Sequence, residues 1–217
     1  GRQPADIGQE NDIMANEYGV LQPSKSVVFF ALLSDNPEQH CQGICMNCGN
    51  LECENRMQEA RQIQEKGISQ REIDNRLDLR GEIIFTIDGA DTKDIDDAIS
   101  LTRLENGWGL GVHIADVSHY VRPQSALDAE AFGRGTSVYY ANAVIPMLPK
   151  ELSNGICSLN PQEDRLAFSA LMRLDEDGGL VEYDFRKTVI RSRVKGVYSE
   201  INQILDGTAE EAIHKKY

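Results

Sequence analysis

The side chains with the clearest chemical potential are five aspartates that lie within ten residues of one another. They are Asp88, Asp91, Asp94, Asp96 and Asp97. Carboxylates this close repel, and each raises the pKa of its neighbours unless a positive charge lies between them. Mg²⁺ and Mn²⁺ remove that penalty, because these ions bind carboxylate, water and phosphate oxygens. The segment therefore predicts a divalent-metal site, with a solvated turn-rich loop as the simpler alternative.

The spacing of these aspartates does not fit an EF-hand calcium loop. Such a loop needs oxygen ligands at its first, third and fifth positions, glycine at the sixth and glutamate at the twelfth. No register that starts at Asp88, Asp91 or Asp94 meets these requirements together. What remains is an open site, with Asp88 at the end of a strand. Such a site suits phosphodiester hydrolysis with two metal ions, one activating a water and one stabilising the leaving oxygen.

Strands are expected on both sides of the acidic segment. Glu82–Ile87 is rich in strand-forming residues and leads into it, and Ala98–Leu104 leads out of it. Ala98–Leu104 and Trp108–Ile114 are separated by a Glu-Asn-Gly turn, which is a hairpin signal. The acidic segment is therefore predicted to connect two strands of one sheet.

A second hairpin and two helices are predicted further along the chain. Arg165–Asp175 is joined to Leu180–Arg193 by a turn that contains two glycines. Alternate apolar residues of the first of these strands can share one face, namely Leu166, Phe168, Ala170, Met172 and Leu174. Ser125–Arg134 has helical spacing with Ser125 as its N-cap, and Tyr198–Leu205 has the pattern of another helix.

The chain divides into three parts by composition, and the fold class is mixed α+β. Residues 1–55 form a Cys-rich segment, residues 56–77 a helical connector, and residues 78–217 a domain of antiparallel hairpins with inserted helices. In the connector, Ser69 is a predicted N-cap and Glu72 its capping-box partner.

Four cysteines are clustered near the N-terminus, and they are Cys41, Cys45, Cys48 and Cys53. Their spacing suits Zn²⁺ or an iron–sulfur cluster, so a metal or redox module is one hypothesis. The first three also fit the CxxxCxxC pattern of radical-SAM enzymes, but the barrel that such enzymes need does not follow. The simplest alternative is a surface loop with free thiols. Cys157 stands alone in an apolar context, which predicts a buried thiol.

The net charge excludes a nucleic-acid binder that depends on basic charge alone. The chain has 217 residues, a formal net charge of -13 and a pI near 4.7, whereas such binders are basic. The longest apolar run, Val27–Leu33, is about a third of the ~20 residues that cross a bilayer, and no signal-peptide layout is present. We expect a cytoplasmic protein with no membrane partner.

The acidic segment, TIDGADTKDIDDA, resembles the signature of the RNase II/RNase R family, the RNB-domain exoribonucleases. Arg80, in RLDLRGEI, precedes it. Similar motifs follow in order, namely GVHIADVSHYV at Gly111–Val121, RGTSVYY at Arg134–Tyr140, VIPMLPKELSNGICSLNP at Val144–Pro161 and DRLAFSALM at Asp164–Met172. The resemblance covers Asp74 to the C-terminus, and within the family the motif sequences are similar to those of bacterial RNase R proteins. Residues 78–217 are thereby identified as the N-terminal part of an RNB-type catalytic domain.

The resemblance implies 3′→5′ hydrolysis of single-stranded RNA to nucleoside 5′-monophosphates, with Mg²⁺ or alternatively Mn²⁺ as cofactor. A monomer is expected, with no DNA partner. The residues that match the family's catalytic, metal-site aspartates are Asp88, Asp94, Asp96 and Asp97. Asp88 and Asp97 are implied metal ligands, Asp94 supports the metal, and Asp96 matters most for the chemical step.

Tyr139 matches the family's tyrosine that stacks against the 3′-terminal bases of RNA, which makes it an RNA-binding candidate. The alternative for Tyr139 is an ordinary half-buried strand tyrosine. His113 and Asp116 have the types of an acid–base pair, although hydrogen bonding in the core is the simpler interpretation. Lys150 and Arg165 are candidates for phosphate contacts, against the alternative of solvated charges.

The resemblance ends before the family's catalytic domain is complete. The family's arginine at the scissile phosphate and its S1 domain are not found in this sequence. A catalytically incomplete fragment that binds RNA or metal is therefore an alternative to an active exoribonuclease. Upstream, LQPSKSVVFFALLSD at Leu21–Asp35 and the cysteines weakly resemble corrinoid-dependent methionine synthase activation-like proteins.

Overall fold

The protein is described here from a computed structural model. The structure describes residues 14–15, 21–22, 54–139 and 144–217, with the backbone alone for the first two ranges and for residues 54–56. The clustered cysteines at positions 41–53, and any metal or redox centre that they form, lie outside the described residues.

Two compact units make up the chain, Gly1–His40 and Cys41–Tyr217. In the first unit, β1 (Met14–Ala15) pairs antiparallel with β2 (Leu21–Gln22). The second unit holds the acidic segment and all the other described elements.

The second unit is built on a seven-stranded mixed sheet and a small two-stranded pair. Its strands in chain order are β3 (Leu77–Asp78), β4 (Ile84–Asp88), β5 (Asp97–Leu104), β6 (Gly107–Ala115), β7 (Val138–Tyr139), β8 (Val144–Ile145), β9 (Asp164–Leu174), β10 (Leu180–Arg191) and β11 (Val194–Val197). The order across the large sheet is β11-β4-β5-β6-β9-β10-β3, and β7 pairs with β8. The two edge strands run parallel to their neighbours, and the inner pairs are antiparallel.

Both predicted hairpins are present, and the fold is the mixed α+β arrangement expected. β5 and β6 pair from Asp97 opposite Ile114 to Leu104 opposite Gly107. Gly107 has φ +108°, and a Cβ there would lie 2.0 Å from the carbonyl oxygen of Leu174, so this turn requires glycine. β9 and β10 form the second hairpin, within one or two residues of the predicted bounds.

Helices and a π-helical segment, whose backbone is kinked at the non-helical Gly155, connect the described strands. They are α1 (Glu54–Lys66), α2 (Gln70–Asp74), α3 (Val117–Tyr120), α4 (Ala126–Arg134), the π-helix Glu151–Ile156, α5 (Tyr198–Leu205) and α6 (Glu211–Lys216). In the described part of the chain no helix combines the length and the apolar character needed to cross a membrane.

Both predicted N-caps are confirmed. Ser69 Oγ accepts a hydrogen bond from the amide of Glu72 at 3.2 Å, and Ser125 Oγ accepts one from the amide of Asp128 at 3.1 Å. The carboxylate of Glu72 accepts a hydrogen bond from Arg76 Nε at 2.8 Å, four residues further along the chain. The described residues therefore show the Ser69 half of the expected capping box, whereas the carboxylate of Glu72 pairs with Arg76.

The core consists of two hydrophobic clusters. The first contains Ala60, Tyr120, Leu127, Leu152, Ile156, Cys157, Leu166 and Val189. The second contains Ile84, Ile95, Ala98, Ala115, Leu159, Ala167 and Ile190. Leu166 and Ala167 are sequence neighbours that join different clusters, so this end of β9 is buried on both faces. Cys157 is a buried free thiol, as predicted, and burial raises its pKa to about 12.

The apolar face predicted for β9 is buried only at the start of the strand. Leu166 is 2% exposed, whereas Phe168, two residues later, is 46% exposed. Phe168 lies beside the similarly exposed Phe185 of β10, with ring centroids 6.1 Å apart. Alternation places these residues on one face but does not determine how far the core extends along it.

Candidate active site

The acidic segment forms the connection of the β4–β5 hairpin. Asp88 is the last residue of β4, Asp97 is the first of β5, and Asp94 and Asp96 lie between them. The two strands pair antiparallel, with Ile84 opposite Ser100, so they carry both ends of the segment to the same edge of the sheet. The hairpin therefore places the four predicted aspartates on one tight loop.

The backbone of this loop is anchored to the core. The buried Ser158 accepts a hydrogen bond from the amide of Ile95 at 3.1 Å and donates one to the carbonyl of Lys93 at 2.7 Å. The amide of Leu159 donates to the carbonyl of Ile95 at 2.9 Å, and Ala115 donates to the carbonyl of Asp96 at 2.9 Å. The aspartates therefore project from a loop whose main chain has fixed partners.

The carboxylates of the loop experience one another's charge. Burial, followed by the charge of Asp97, raises the pKa of Asp88, with smaller contributions from Asp94 and Asp96. Partial desolvation, followed by the charges of Asp94 and Asp97, raises the pKa of Asp96. Oδ2 of Asp88 is buried and has no hydrogen-bond partner among the described residues. A buried, unpartnered carboxylate oxygen beside like charges fits a site for a hard divalent cation.

The side chains do not present a complete ligand set. No group of three or more His, Cys, Asp or Glu side chains in the described ranges is arranged so that it could hold a metal ion. One oxygen of Asp94 is engaged by Tyr139, whose hydroxyl donates to Asp94 Oδ2 at 2.7 Å. The structure thus brings the four predicted aspartates together on one loop without directing their carboxylates to a common point.

Tyr139 lies on β7 with its side chain directed at the acidic loop. The residue is 64% exposed, which is more than the half-buried alternative would give. Its hydrogen bond to Asp94 raises the pKa of Tyr139, with a smaller contribution from desolvation. An exposed ring held beside a cluster of carboxylates can stack on a nucleobase while the carboxylates face its phosphate.

His113 and Asp116 do not form an acid–base pair. His113 Nδ1 lies 2.8 Å from Ser169 Oγ and its Nε2 lies 3.1 Å from Ser100 Oγ, all within the sheet. Asp116 instead accepts a hydrogen bond from Arg76 at 2.7 Å. The simpler interpretation, hydrogen bonding in the core, is confirmed for both.

Arg165 is buried, whereas Lys150 is exposed. The guanidinium of Arg165 donates to the carbonyls of Ser158 at 2.7 Å and Asp164 at 2.9 Å, and it forms an ion pair with Glu163. Because these partners occupy its donors, the suggested role of Arg165 in phosphate contact finds no support in the geometry. Arg165 supports the segment that anchors the acidic loop.

Replacing His113 by glutamine is expected to flatten the acid side of the stability profile. Burial lowers the pKa of His113 to about 4 from an ordinary value of 6.5. Between these values the unfolded chain takes up a proton that the folded chain excludes, so stability falls as the pH falls from 6.5 towards 4. The unmodified chain should lose up to about 3 kcal/mol more over this window than His113→Gln. Urea unfolding at pH 6.5 and at pH 4 measures this change in the free energy of unfolding. As a control, the exposed-site variant His214→Gln should lose as much stability as the unmodified chain. An equal loss in all three proteins would contradict the prediction.

Two loop-anchoring residues were not found from the sequence. Ser158 and Lys195 lie far along the chain from the loop that they contact. Their sequence signal is weak, since Ser158 falls within a matched motif and Lys195 is a single charge in a short strand. Tertiary pairing alone brings them to the acidic loop.

Comparison with known proteins identifies relatives of this chain. A family model described as "RNB domain" matches residues 76–216. Ribonuclease R 1 of Lactococcus lactis is 50% identical over 151 residues, which is 69% of this chain and 18% of the relative. Ribonuclease R of Thermotoga maritima is 54% identical over 140 residues, which is 64% of this chain and 20% of the relative.

A solved structure shares the fold. Mycoplasma genitalium RNase R in complex with ribose methylated single-stranded RNA matches with a TM-score of 0.67 and 30% identity, covering 74% of this chain and 26% of that chain. This chain thus spans about a fifth to a quarter of the length of these relatives. The family match, however, covers well over half of the chain. Residues 76–216 establish that this chain belongs to the RNB domain family of ribonucleases.

Proposed function

We propose that the chain carries the metal-binding part of a 3′→5′ exoribonuclease site. Its substrate would be single-stranded RNA and its products nucleoside 5′-monophosphates, with Mg²⁺ as the ion and Mn²⁺ as a substitute. The observation that carries this proposal is the anchored loop of four aspartates, on which Asp88 Oδ2 is buried without a partner among the described residues. A relative's structure with bound single-stranded RNA adds support for the substrate class.

Each aspartate has a role in this proposal. Asp88 and Asp97, at the two ends of the loop, would hold the ion, and Asp94 would support it. A bound divalent ion would supply charge neutralisation at the scissile phosphate. Asp96 is assigned to the chemical step, where a carboxylate that accepts a hydrogen bond from the attacking water orients that water.

Tyr139 would position the 3′ end of the RNA. Stacking on an aromatic ring tolerates any base, as a general RNA-degrading enzyme requires. Because the hydroxyl of Tyr139 lies 2.7 Å from Asp94 Oδ2, a base on its ring would place the adjoining phosphate near the acidic loop. We also propose a monomeric, cytoplasmic protein that does not act on DNA.

A second candidate function is binding of RNA or metal without turnover. The observation that favours it is the incomplete ligand set, since no group of three or more His, Cys, Asp or Glu side chains in the described ranges is arranged to hold a metal ion. Without an ion held at the scissile phosphate, the charge that develops in the transition state would lack stabilisation. The Cys-cluster metal or redox module stays a separate prediction.

The test is the incubation of residues 1–217 with a 5′-labelled single-stranded RNA, with Mg²⁺ or with a chelator. Metal-dependent shortening from the 3′ end, with release of nucleoside monophosphates, supports the exoribonuclease. Binding of RNA and metal without shortening supports the second candidate. Failure to bind either ligand contradicts both.

A further inference from the structure

Lys195 binds the backbone of the acidic loop from outside the aspartate cluster. Its Nζ donates a hydrogen bond to the carbonyl of Thr92 at 2.5 Å and another to the carbonyl of Ala90 at 3.0 Å. These two contacts span more than one hundred residues of sequence. A lysine ammonium has three donors, and two of them are thus used on one turn of the loop.

The position of Lys195 is fixed by strand pairing. β11 runs parallel to β4, with Lys195 opposite Thr86 and Val197 opposite Asp88. Gly196 permits this close approach, because a Cβ at that position would lie 2.4 Å from the carbonyl oxygen of Thr86. The edge strand therefore delivers an ammonium group to the loop that follows Asp88.

The other side of the loop is held by Ser158, whose hydroxyl bonds to the amide of Ile95 and the carbonyl of Lys93. Lys195 holds the first half of the loop and Ser158 the second half. The segment between Asp88 and Asp97 is thus fixed from two sides by groups that are not aspartates.

We propose that Lys195 is a positioning residue for the metal site, holding the turn at Ala90 and Thr92 so that Asp88 and Asp97 stay at the same edge of the sheet, where a divalent cation would bind. This inference rests on the proposed function, because it assumes that the loop binds such a cation. It assigns Lys195 no contact with metal or RNA.

A role of Lys195 through its charge and a role through its contacts predict opposite changes in cation affinity when the side chain is removed. If Lys195 acted only through its positive charge, removing it would leave the site more negative and would strengthen cation binding. If it positions the loop, removing it releases two carbonyl contacts and weakens cation binding. The sign of the change in affinity therefore distinguishes the two roles.

The experiment is a titration of Mn²⁺ into the 217-residue chain, with free Mn²⁺ measured by electron paramagnetic resonance. Lys195→Met is expected to bind Mn²⁺ about tenfold more weakly than the unmodified chain, as the loss of charged hydrogen bonds implies. Lys195→Arg, whose guanidinium can donate to both carbonyls, should stay within about threefold. The matched control is Lys93→Met, which removes an equal charge from an exposed position of the same loop and should not weaken binding.

A second measurement covers the case in which Lys195→Met is poorly folded. Amide hydrogen exchange in the unmodified chain and in Lys195→Arg reports the loop directly, and protection of residues 89–97 should be the same in both. Equal or tighter Mn²⁺ binding by Lys195→Met, or a fall in Mn²⁺ affinity of Lys195→Arg while the protection of residues 89–97 is unchanged, overturns the positioning role. Absence of Mn²⁺ binding by the unmodified chain instead overturns the proposed function, and the positioning role with it.

Discussion

Replacing Asp96 by asparagine is expected to lower RNA hydrolysis by about 10³-fold or more, the scale seen when a group that acts in the chemical step is removed. The amide keeps the size of the side chain but loses its negative charge. Asp96 is exposed and lies on a loop with an anchored backbone, so the fold should be preserved. A loss of activity in Asp96→Asn without a loss of stability would indicate that Asp96 acts in the chemical step.

This prediction can be measured in the background of a longer relative as well as in the 217-residue chain. Residues 76–216 can replace the matching segment of Thermotoga maritima Ribonuclease R, to which this chain is 54% identical. The shortening of a 5′-labelled RNA from its 3′ end is then compared between the chimera and its Asp96→Asn form.

The matched control for Asp96→Asn is Asp91→Asn, which makes the same chemical change at an exposed position of the same loop. Asp91 is outside the four proposed site residues, so its replacement should change the rate by no more than about twofold. Equal losses from both substitutions, or full activity of Asp96→Asn, would contradict the assignment of the site.

Replacing Arg76 by methionine is expected to lower the free energy of unfolding by about 3–5 kcal/mol. Arg76 and Asp116 form an ion pair at 2.7 Å, with side chains only 1% and 3% exposed. Burial raises the pKa of Asp116, but hydrogen bonds from Arg76 and Ser118 outweigh that effect and lower it. Removing the guanidinium would leave a buried carboxylate without its main partner, which is the costly way to break such a pair.

Urea unfolding at pH 7 measures the loss of stability on removal of Arg76. The control is Arg186→Met, which breaks an ion pair with Asp184 at 2.6 Å in which both side chains are more than half exposed. That change should cost no more than about 1 kcal/mol, because exposed pairs are screened by water. Adding Asp116→Asn to Arg76→Met should restore part of the lost stability. Equal losses of stability in Arg76→Met and Arg186→Met would contradict the prediction.

Local sequence was sufficient to predict the elements that carry the site. The Glu-Asn-Gly turn determines the β5–β6 hairpin because Gly107 adopts a φ of +108° that other residues resist. Ser69 and Ser125 mark helix starts because a side-chain oxygen there satisfies a free amide. The spacing of the aspartates between two strand patterns placed them on one loop, as found.

Other features depend on pairing between distant parts of the chain. Alternation along β9 could not show that Phe168 would be exposed, since exposure depends on what covers that face of the sheet. Lys195 and Ser158 contact the loop only because edge-strand pairing and a turn after the π-helix bring them there. The directions of the aspartate carboxylates are set by side-chain rotamers, about which sequence spacing carries no information.

The measurement that tests the central claim most directly is the affinity of the unmodified chain for Mn²⁺ compared with that of Asp88→Asn. If the acidic loop is a cation site, the unmodified chain should bind the ion and the substitution should weaken binding by at least about tenfold, because a charged ligand becomes a neutral amide. Equal affinities, or no binding by either protein, would contradict the claim that these carboxylates hold a metal ion.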